Sequence, residues 1–163
     1  LGKGSYNVKM CAKNKWSIAI SNFCSDEIVK DHIENYLNNS PLEKKDALKK
    51  IRLTKLLFLN ESQKDADKYA FDENSPYMEV IDTIFTKLKT FNRHNCFGEN
   101  VNCTLDAAKK VLFHGTPEKA KDYISSINNQ FGELGSVVFV SVPKTNNRIF
   151  DESLKLFSKE LNV

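Results

Sequence analysis

The chain has 163 residues, 40% of them hydrophobic and 28% charged, which is ordinary for one globular domain with a sizeable core. Its net charge is +3, and basic and acidic residues are mixed along the sequence without a basic stripe that carries aromatic residues. This pattern argues against nucleic acid as a partner. No apolar run approaches the roughly 20 residues of a membrane span, so we also expect no span within this chain.

The beginning of the chain predicts an arm followed by a strand and a helix. Residues 1–14 carry two glycines and several polar residues, which predict an irregular N-terminal arm and leave residues 15–163 as one domain. Apolar residues alternate with small ones from Trp16 to Ile20, as in a strand. Ser25 then has the side chain of a helix N-cap, and an apolar stripe at helical spacing follows it.

The rest of the domain alternates between predicted strands and amphipathic helices. Strands are predicted at residues 51–59, 68–71 and 137–142, and helices at Pro76, Thr104, Pro117 and about Ile149. This alternation predicts an α/β fold, a mostly parallel sheet with helices on both faces. The almost wholly apolar run at residues 137–142 is typical of a strand buried on both faces. The short step between the second and third strands predicts one antiparallel edge strand.

Four cysteines bear on the compartment. Cys11, Cys24, Cys96 and Cys103 are an even number, which is compatible with two disulfides and a secreted, oxidised protein. The alternative is four reduced thiols in an intracellular protein. Cys11 and Cys24 flank the first strand, whose length of roughly 23 Å disfavours a bond between them.

Three sequons are glycosylation candidates for a secreted or extracellular chain, at Asn38, Asn60 and Asn102. Chance alone predicts roughly two sequons at this content of Asn, Ser and Thr, and Pro41 follows the first of them. The sequons therefore give the secreted location only weak support.

A family resemblance follows from the order and spacing of the segments. The first strand runs into Ser-Asn-Phe-Cys-Ser at residues 21–25 and then into a helix, and Thr104 leads into another helix with small residues. In this arrangement residues 15–163 resemble the von Willebrand factor A domain family. The resemblance implies a Rossmann-like topology in which the segments around Ser21, Thr104 and Val142 meet at the carboxyl ends of the strands.

Domains of that family hold a divalent cation with oxygen ligands from three loops. Carried over by position, the ligand set falls on Ser21, Phe23, Ser25, Thr104 and Val142. None of these residues has a carboxylate, which a hard divalent cation needs for charge. We therefore expect a degenerate adhesion site that binds no metal, and no cofactor.

The resemblance also implies a function, an extracellular recognition or adhesion module that binds an unidentified protein and is not an enzyme. The candidate ligand-face residues are Phe23, Phe97, Asn102 and Pro143. Because the family fold would bring Cys24, Cys96 and Cys103 to one end of the sheet, it further implies a disulfide between Cys96 and Cys103, with Cys24 as an alternative partner.

Two other interpretations stay open on the sequence. In the first, the chain is a small α/β enzyme that uses Cys24 or Asp26, because ligands of open α/β sheets bind at the carboxyl ends of the strands. A reactive Cys24 would favour this interpretation. In the second, the chain is an intracellular scaffold domain with reduced cysteines.

Overall fold

The structure is a computed structural model that describes residues 5–142 and 148–160. Its helices are α1 (Tyr6–Lys13), α2 (Asp26–Asn39), α3 (Lys44–Leu48), α4 (Gln63–Ala70), α5 (Pro76–Thr90), α6 (Thr104–Val111), α7 (Pro117–Phe131) and α8 (Arg148–Glu160). Its strands are β1 (Ile18–Ile20), β2 (Ile51–Leu59), β3 (Leu112–Gly115) and β4 (Ser136–Val140), and a short 3₁₀ helix covers His94–Phe97. Within the described ranges, no helix is long and apolar enough to cross a membrane.

The sheet is built around β2, with which β1, β3 and β4 all pair in parallel. β1 pairs with the first residues of β2, so that Ile20 lies opposite Leu53. β4 pairs with the middle of β2, and β3 pairs with its end, where Gly115 lies opposite Leu59. This arrangement confirms the predicted α/β class with a mainly parallel sheet.

Both faces of β2 are covered by helices. Phe58 is fully buried in the main core, with its ring centre 5.9 Å from that of Tyr77 on α5. The alternate residues Leu57 and Leu59 face the other side and pack in a smaller cluster with Ala120 of α7. Since each fully buried apolar side chain contributes roughly 1.5–3 kcal/mol, the apolar run of β2 is a main source of stability.

The predicted antiparallel edge strand at residues 68–71 is wrong, because this segment finishes α4 and all the described strand pairs are parallel. The Ser62 hydroxyl accepts a hydrogen bond from the amide of Asp65 and caps the helix. Ala66 and Ala70, one turn apart, are its buried residues. The capping residue and the alanine spacing therefore outweigh the strand propensity of the aromatic residues near Ala70.

Two further segments differ from the sequence prediction. The predicted irregular arm contains α1, whose residues Val8 and Ala12 are fully buried and share one helix face that packs on α2. Residues Leu112–Gly115, where the sequence predicts no strand, form β3. Four residues are too few to show a strand pattern, and the pairing with β2 selects the extended conformation there.

The turn before β4 depends on Gly135. Its amide donates to the carbonyls of Leu48 and Ile51 at 3.0 Å each, and a Cβ at this position would overlap the carbonyl of Lys49. We expect Gly135→Ala to lower the free energy of unfolding by about 2–3 kcal/mol, because the turn must shift away from the start of β2. Urea unfolding measures this. The exposed Glu133→Ala is the control, and an equal loss in both variants would contradict the prediction.

Candidate active site

The carboxyl ends of the strands form a stepped edge. β1 ends level with Leu53, β4 ends level with Leu56, and β3 ends level with Leu59, the last residue of β2. The second half of β2 therefore extends beyond the end of β1. Ligands of open α/β sheets bind at this edge, so its polar groups are the first candidates for a site.

Lys55 is a buried charge just beyond the end of β1, with only 3% of its side chain exposed. Its Nζ lies 2.7 Å from Oδ1 of Asp26, the first residue of α2, and 5.7 Å from the centre of the Tyr123 ring on α7. The Tyr123 hydroxyl donates to the same Asp26 oxygen at 3.1 Å. An unpaired ammonium would be strongly unfavourable here, so Asp26 is what makes Lys55 tolerable in a buried strand.

The Lys55–Asp26–Tyr123 cluster joins β2, α2 and α7. Burial, together with the adjacent Asp26 carboxylate, raises the pKa of the Tyr123 hydroxyl, which therefore stays protonated and acts as a donor. The Asp26 side chain is 65% exposed, so it is the member of the cluster that a ligand can reach. The enzyme interpretation named Asp26, but the structure shows its carboxylate already engaged on one oxygen.

Sequence reasoning missed Lys55 and Tyr123. The available signal was a lysine inside the otherwise mainly apolar run Ile51–Leu59, since lysine is almost never fully buried unless it is paired. Its partner could not be identified in this way, because Asp26 and Tyr123 are far from Lys55 in sequence.

A pocket of about 430 Å³ opens at the end of β2, on the strand face that carries Leu57 and Leu59. It is lined by Leu59, Asn60, Glu61, Glu152, Lys155, Leu156 and Lys159. Its volume lies within the range of roughly 300–1,000 Å³ that is usual for small-ligand sites. A larger pocket of about 780 Å³ lies at the opposite, amino edge of the sheet, where α3 faces the end of α7. The fold favours the carboxyl-edge pocket as the ligand site.

His114 lies at the end of β3 on the other face of the sheet, since it pairs with Phe58 and not with Leu59. Its Nε2 is 3.1 Å from Oδ1 of Asp67 on α4, and the Gln63 amide donates to the same oxygen at 2.6 Å. This pair holds α4 against the end of β3, outside the 430 Å³ pocket.

Three residues of the predicted adhesion site, Ser21, Phe23 and Ser25, lie in the loop after β1. The Ser21 hydroxyl accepts a hydrogen bond from the amide of Phe23 at 3.2 Å, and the Phe23 ring packs edge-on at 6.3 Å from Phe97. Ser25 is buried, and its amide donates to the carbonyl of Cys96 at 3.1 Å. The loop after β1 therefore meets the 3₁₀ helix.

Thr104 begins α6, which leads into β3, and its hydroxyl donates to the Asp82 carboxylate on α5. Val142 follows β4 and packs on the main core. The meeting of the segments around Ser21, Thr104 and Val142 at one edge stays a prediction.

The remaining predicted residues are scattered. Asn102 is exposed, and its backbone amide donates to the Asp106 carboxylate at 3.2 Å. Pro143 lies outside the described residues. Among the glycosylation candidates, Asn38 is also exposed, and the side chain of the half-buried Asn60 accepts a hydrogen bond from the amide of Ser62. In the part of the chain that the structure describes, no three His, Cys, Asp or Glu side chains are grouped as metal ligands.

None of the four cysteines forms a disulfide, so the predicted bond between Cys96 and Cys103 is wrong, as is the alternative through Cys24. Cys96 is buried in the 3₁₀ helix, whereas Cys103 is exposed before α6. Burial raises the pKa of the Cys24 thiol, which makes it a poor nucleophile near neutral pH.

We expect Asp26→Asn to lower the free energy of unfolding by about 1–3 kcal/mol, because it leaves the Lys55 ammonium buried beside a neutral group. Replacing both charges, in Lys55→Met combined with Asp26→Asn, should restore part of this loss. Urea unfolding of the single and double variants tests the cycle. Asp122→Asn, at an exposed position beside Tyr123, is the control. A double variant less stable than Asp26→Asn alone would refute the assignment.

The stability of the fold should fall at alkaline pH. Burial, and to a lesser extent the nearby Cys24, raises the pKa of the Cys96 thiol from 9.0 to about 11. Between these two values the unfolded chain loses a proton that the folded chain keeps, so the free energy of unfolding decreases as pH rises. We expect Cys96→Ala to show a shallower decline than the wild type between about pH 8.5 and pH 10.5 in chemical unfolding. Equal slopes would contradict this expectation.

Comparison with known proteins gives a likeness in structure only. No family model matches the sequence, and no curated protein matches it. The chain is similar to the oxygenating constituent of 3,6-diketocamphane monooxygenase from the CAM plasmid of Pseudomonas putida, a type II Baeyer–Villiger monooxygenase solved in complex with FMN. The TM-score is 0.64 and the identity 14%, over 95% of this chain and 44% of that one.

Two further solved structures are similar to nearly the whole of this chain. Monooxygenase RslO1 from Streptomyces bottropensis has a TM-score of 0.59 and 14% identity, over 98% of this chain and 45% of its own. Apo-MsnO8 has a TM-score of 0.60 and 12% identity, over 98% of this chain and 49% of its own. The chain thus spans slightly less than half the length of each of these proteins.

These likenesses correct the interpretation drawn from the sequence. They overturn the resemblance to von Willebrand factor A domains, and with it the adhesion function and the non-enzymatic assignment. The four cysteines form no disulfide, which removes the pairing that accompanied the resemblance, and the secreted location stays a prediction. What the comparison establishes is the fold, which this chain shares with about half of each of these larger proteins.

Proposed function

We propose that this chain is part of a flavin-dependent monooxygenase and supplies about half of its catalytic fold. The observation that carries the proposal is the likeness of nearly the whole chain to a monooxygenase solved with FMN. The pocket of about 430 Å³ at the carboxyl edge, where such a fold binds its ligands, supports it.

The pocket lining has the chemistry that FMN needs, a cationic site for the phosphate and an apolar surface for the flat ring system. Lys155 and Lys159 are four residues apart on α8, so both lie on one helix face. Leu59 and Leu156 provide the apolar part. Glu61 and Glu152, which also line the pocket, offset the charges of the two lysines, although Glu152 is paired with Arg148 at 2.7 Å, so we expect an affinity in the micromolar range.

In this proposal the chain's own residues bind and orient the cofactor. Lys155 and Lys159 hold the phosphate. The side-chain oxygen of Asn60 accepts a hydrogen bond from the Ser62 amide, so the side-chain amino group of Asn60 can donate a hydrogen bond to the cofactor at the rim of the pocket. A bound flavin would supply the redox chemistry by which a monooxygenase activates oxygen.

The Lys55–Asp26–Tyr123 cluster lies closer to the amino end of β2 than the pocket does. Lys55 and Leu59 point to the same face of β2 but are four residues apart, roughly 13 Å along the strand, with Leu57 between them. We therefore assign the cluster to positioning the loop after β1 and α7, and not to contact with the cofactor. Because the chain spans less than half of the similar proteins, oxygen transfer is proposed for the whole protein, and cofactor binding for this chain.

Titration of FMN fluorescence with the protein tests cofactor binding. We expect saturable quenching by the wild-type chain, and an affinity at least about tenfold lower for the double variant Lys155→Ala, Lys159→Ala, because two charge-assisted contacts to the phosphate are lost. Riboflavin, which lacks the phosphate, should bind equally to the wild type and the variant.

The matched control is Lys44→Ala, Lys45→Ala, which removes two exposed lysines from the pocket at the amino edge. This variant should bind FMN like the wild type. No quenching by the wild type, or equal loss in both double variants, would contradict the assignment of the carboxyl-edge pocket.

A further inference from the structure

The outward surface of α1, with the residues just after it, combines exposed apolar side chains with lysines. Tyr6 is 77% exposed, Met10 39% and Trp16 55%. Tyr6 and Met10 are one turn apart, on the side of α1 away from the buried Val8 and Ala12. Large apolar side chains at these exposures are unfavourable in water, so several together indicate a contact surface. We call Tyr6, Lys9, Met10, Lys13, Lys15 and Trp16 the α1 surface.

Lysines surround these apolar side chains. Lys9 and Lys13 are exposed and one turn apart on the same side of α1, and Lys15 is exposed beside Trp16. Among the described residues, no carboxylate lies within ion-pair distance of these three lysines. The α1 surface is therefore positively charged as well as apolar.

The backbone holds Trp16 in place at the end of α1. Its amide donates to the carbonyl of Cys11 at 2.9 Å, across a turn in which Lys15 has a φ of 60°. Its carbonyl accepts the hydroxyl of the fully buried Tyr36 on α2 at 2.7 Å. The indole is thus presented to solvent from a fixed backbone, so the exposure of Trp16 belongs to the folded structure.

α2, on which α1 packs, carries the acidic residues Asp31 and Glu34, and Glu34 is within 4.0 Å of Lys30. Because α1 turns its buried face toward α2, Lys9 and Lys13 lie on the side of α1 away from that helix.

We propose that the α1 surface binds peripherally to an anionic lipid bilayer. Tyrosine and tryptophan side chains favour the boundary between headgroups and acyl chains, and lysines beside them are attracted to anionic headgroups. A helix that presents protruding side chains suits a deformable lipid surface, whereas a peptide partner would need a groove to lie in. Acidic residues, Glu27, Asp31 and Glu99, line a cavity that includes Ser5 just before α1, so the positive charge of the α1 surface comes from Lys9, Lys13 and Lys15 farther along the chain.

Trp16 is the only tryptophan of the chain, so its fluorescence reports directly on this surface. We expect vesicles of phosphatidylcholine with roughly 30% phosphatidylserine to shift its emission to shorter wavelength and to sediment the protein. Vesicles of phosphatidylcholine alone should do neither, and about 0.5 M salt should reverse the binding.

Two variants separate the charged and apolar contributions. Lys9→Gln, Lys13→Gln, Lys15→Gln should weaken vesicle binding at least about tenfold, since each lysine near an anionic bilayer contributes roughly a factor of five. Tyr6→Ser, Met10→Ser should reduce quenching of Trp16 by lipids brominated on the acyl chains. The matched control, Lys44→Gln, Lys45→Gln, Lys49→Gln, removes three exposed lysines elsewhere and should bind like the wild type.

Three results would overturn the proposal. The first is that anionic vesicles neither shift the emission of Trp16 nor sediment the protein. The second is an equal loss of binding in the two triple-lysine variants, which would indicate attraction to net charge alone. The third is that soluble polyglutamate shifts the emission of Trp16 as strongly as the vesicles do, which would indicate an acidic protein partner. None of these results bears on FMN binding.

Discussion

The parallel pairing of three strands with β2 is the constraint on which the rest of the structure depends. β1, β3 and β4 form no pairs among themselves in the described structure, so β2 alone holds them in one sheet. Its nine residues provide enough length for three partners at staggered positions. Its apolar side chains pack against helices on both faces of the sheet. Because both faces are covered, Lys55 is a buried charge within an otherwise mainly apolar strand.

The stagger of the strands also decides where polar chemistry can occur. Because β1 ends early, α2 begins beside the middle of β2, and Asp26 reaches Lys55 there. Because β2 and β3 end together, the pocket opens at their end, next to α8. Two polar regions thus follow from one pairing pattern, and the outer one opens into the pocket of about 430 Å³. The chain shares this fold with slightly less than half of each of the similar solved structures.

The failed family resemblance shows the limit of element order as evidence. Alternating strands and helices predict a parallel sheet, but many folds share that alternation, and nothing in the periodicity states which strand lies next to which. The helix that begins at Thr104 was predicted correctly, but the strand that follows it, β3, was not predicted. A strand this short has no periodicity of its own.

The sequence by itself determined the elements with strong local signals. These are β2 and β4 from their apolar runs, α2 from its apolar stripe, and α5 and α7 from an N-cap residue followed by proline. Tertiary structure alone decided β3, the burial of α1, the absence of a disulfide between the cysteines and the pairing of Lys55 with Asp26 and Tyr123. The physical reason is range. Caps and periodicity act within a few residues, whereas strand pairing and the burial of a charge depend on groups that folding brings together.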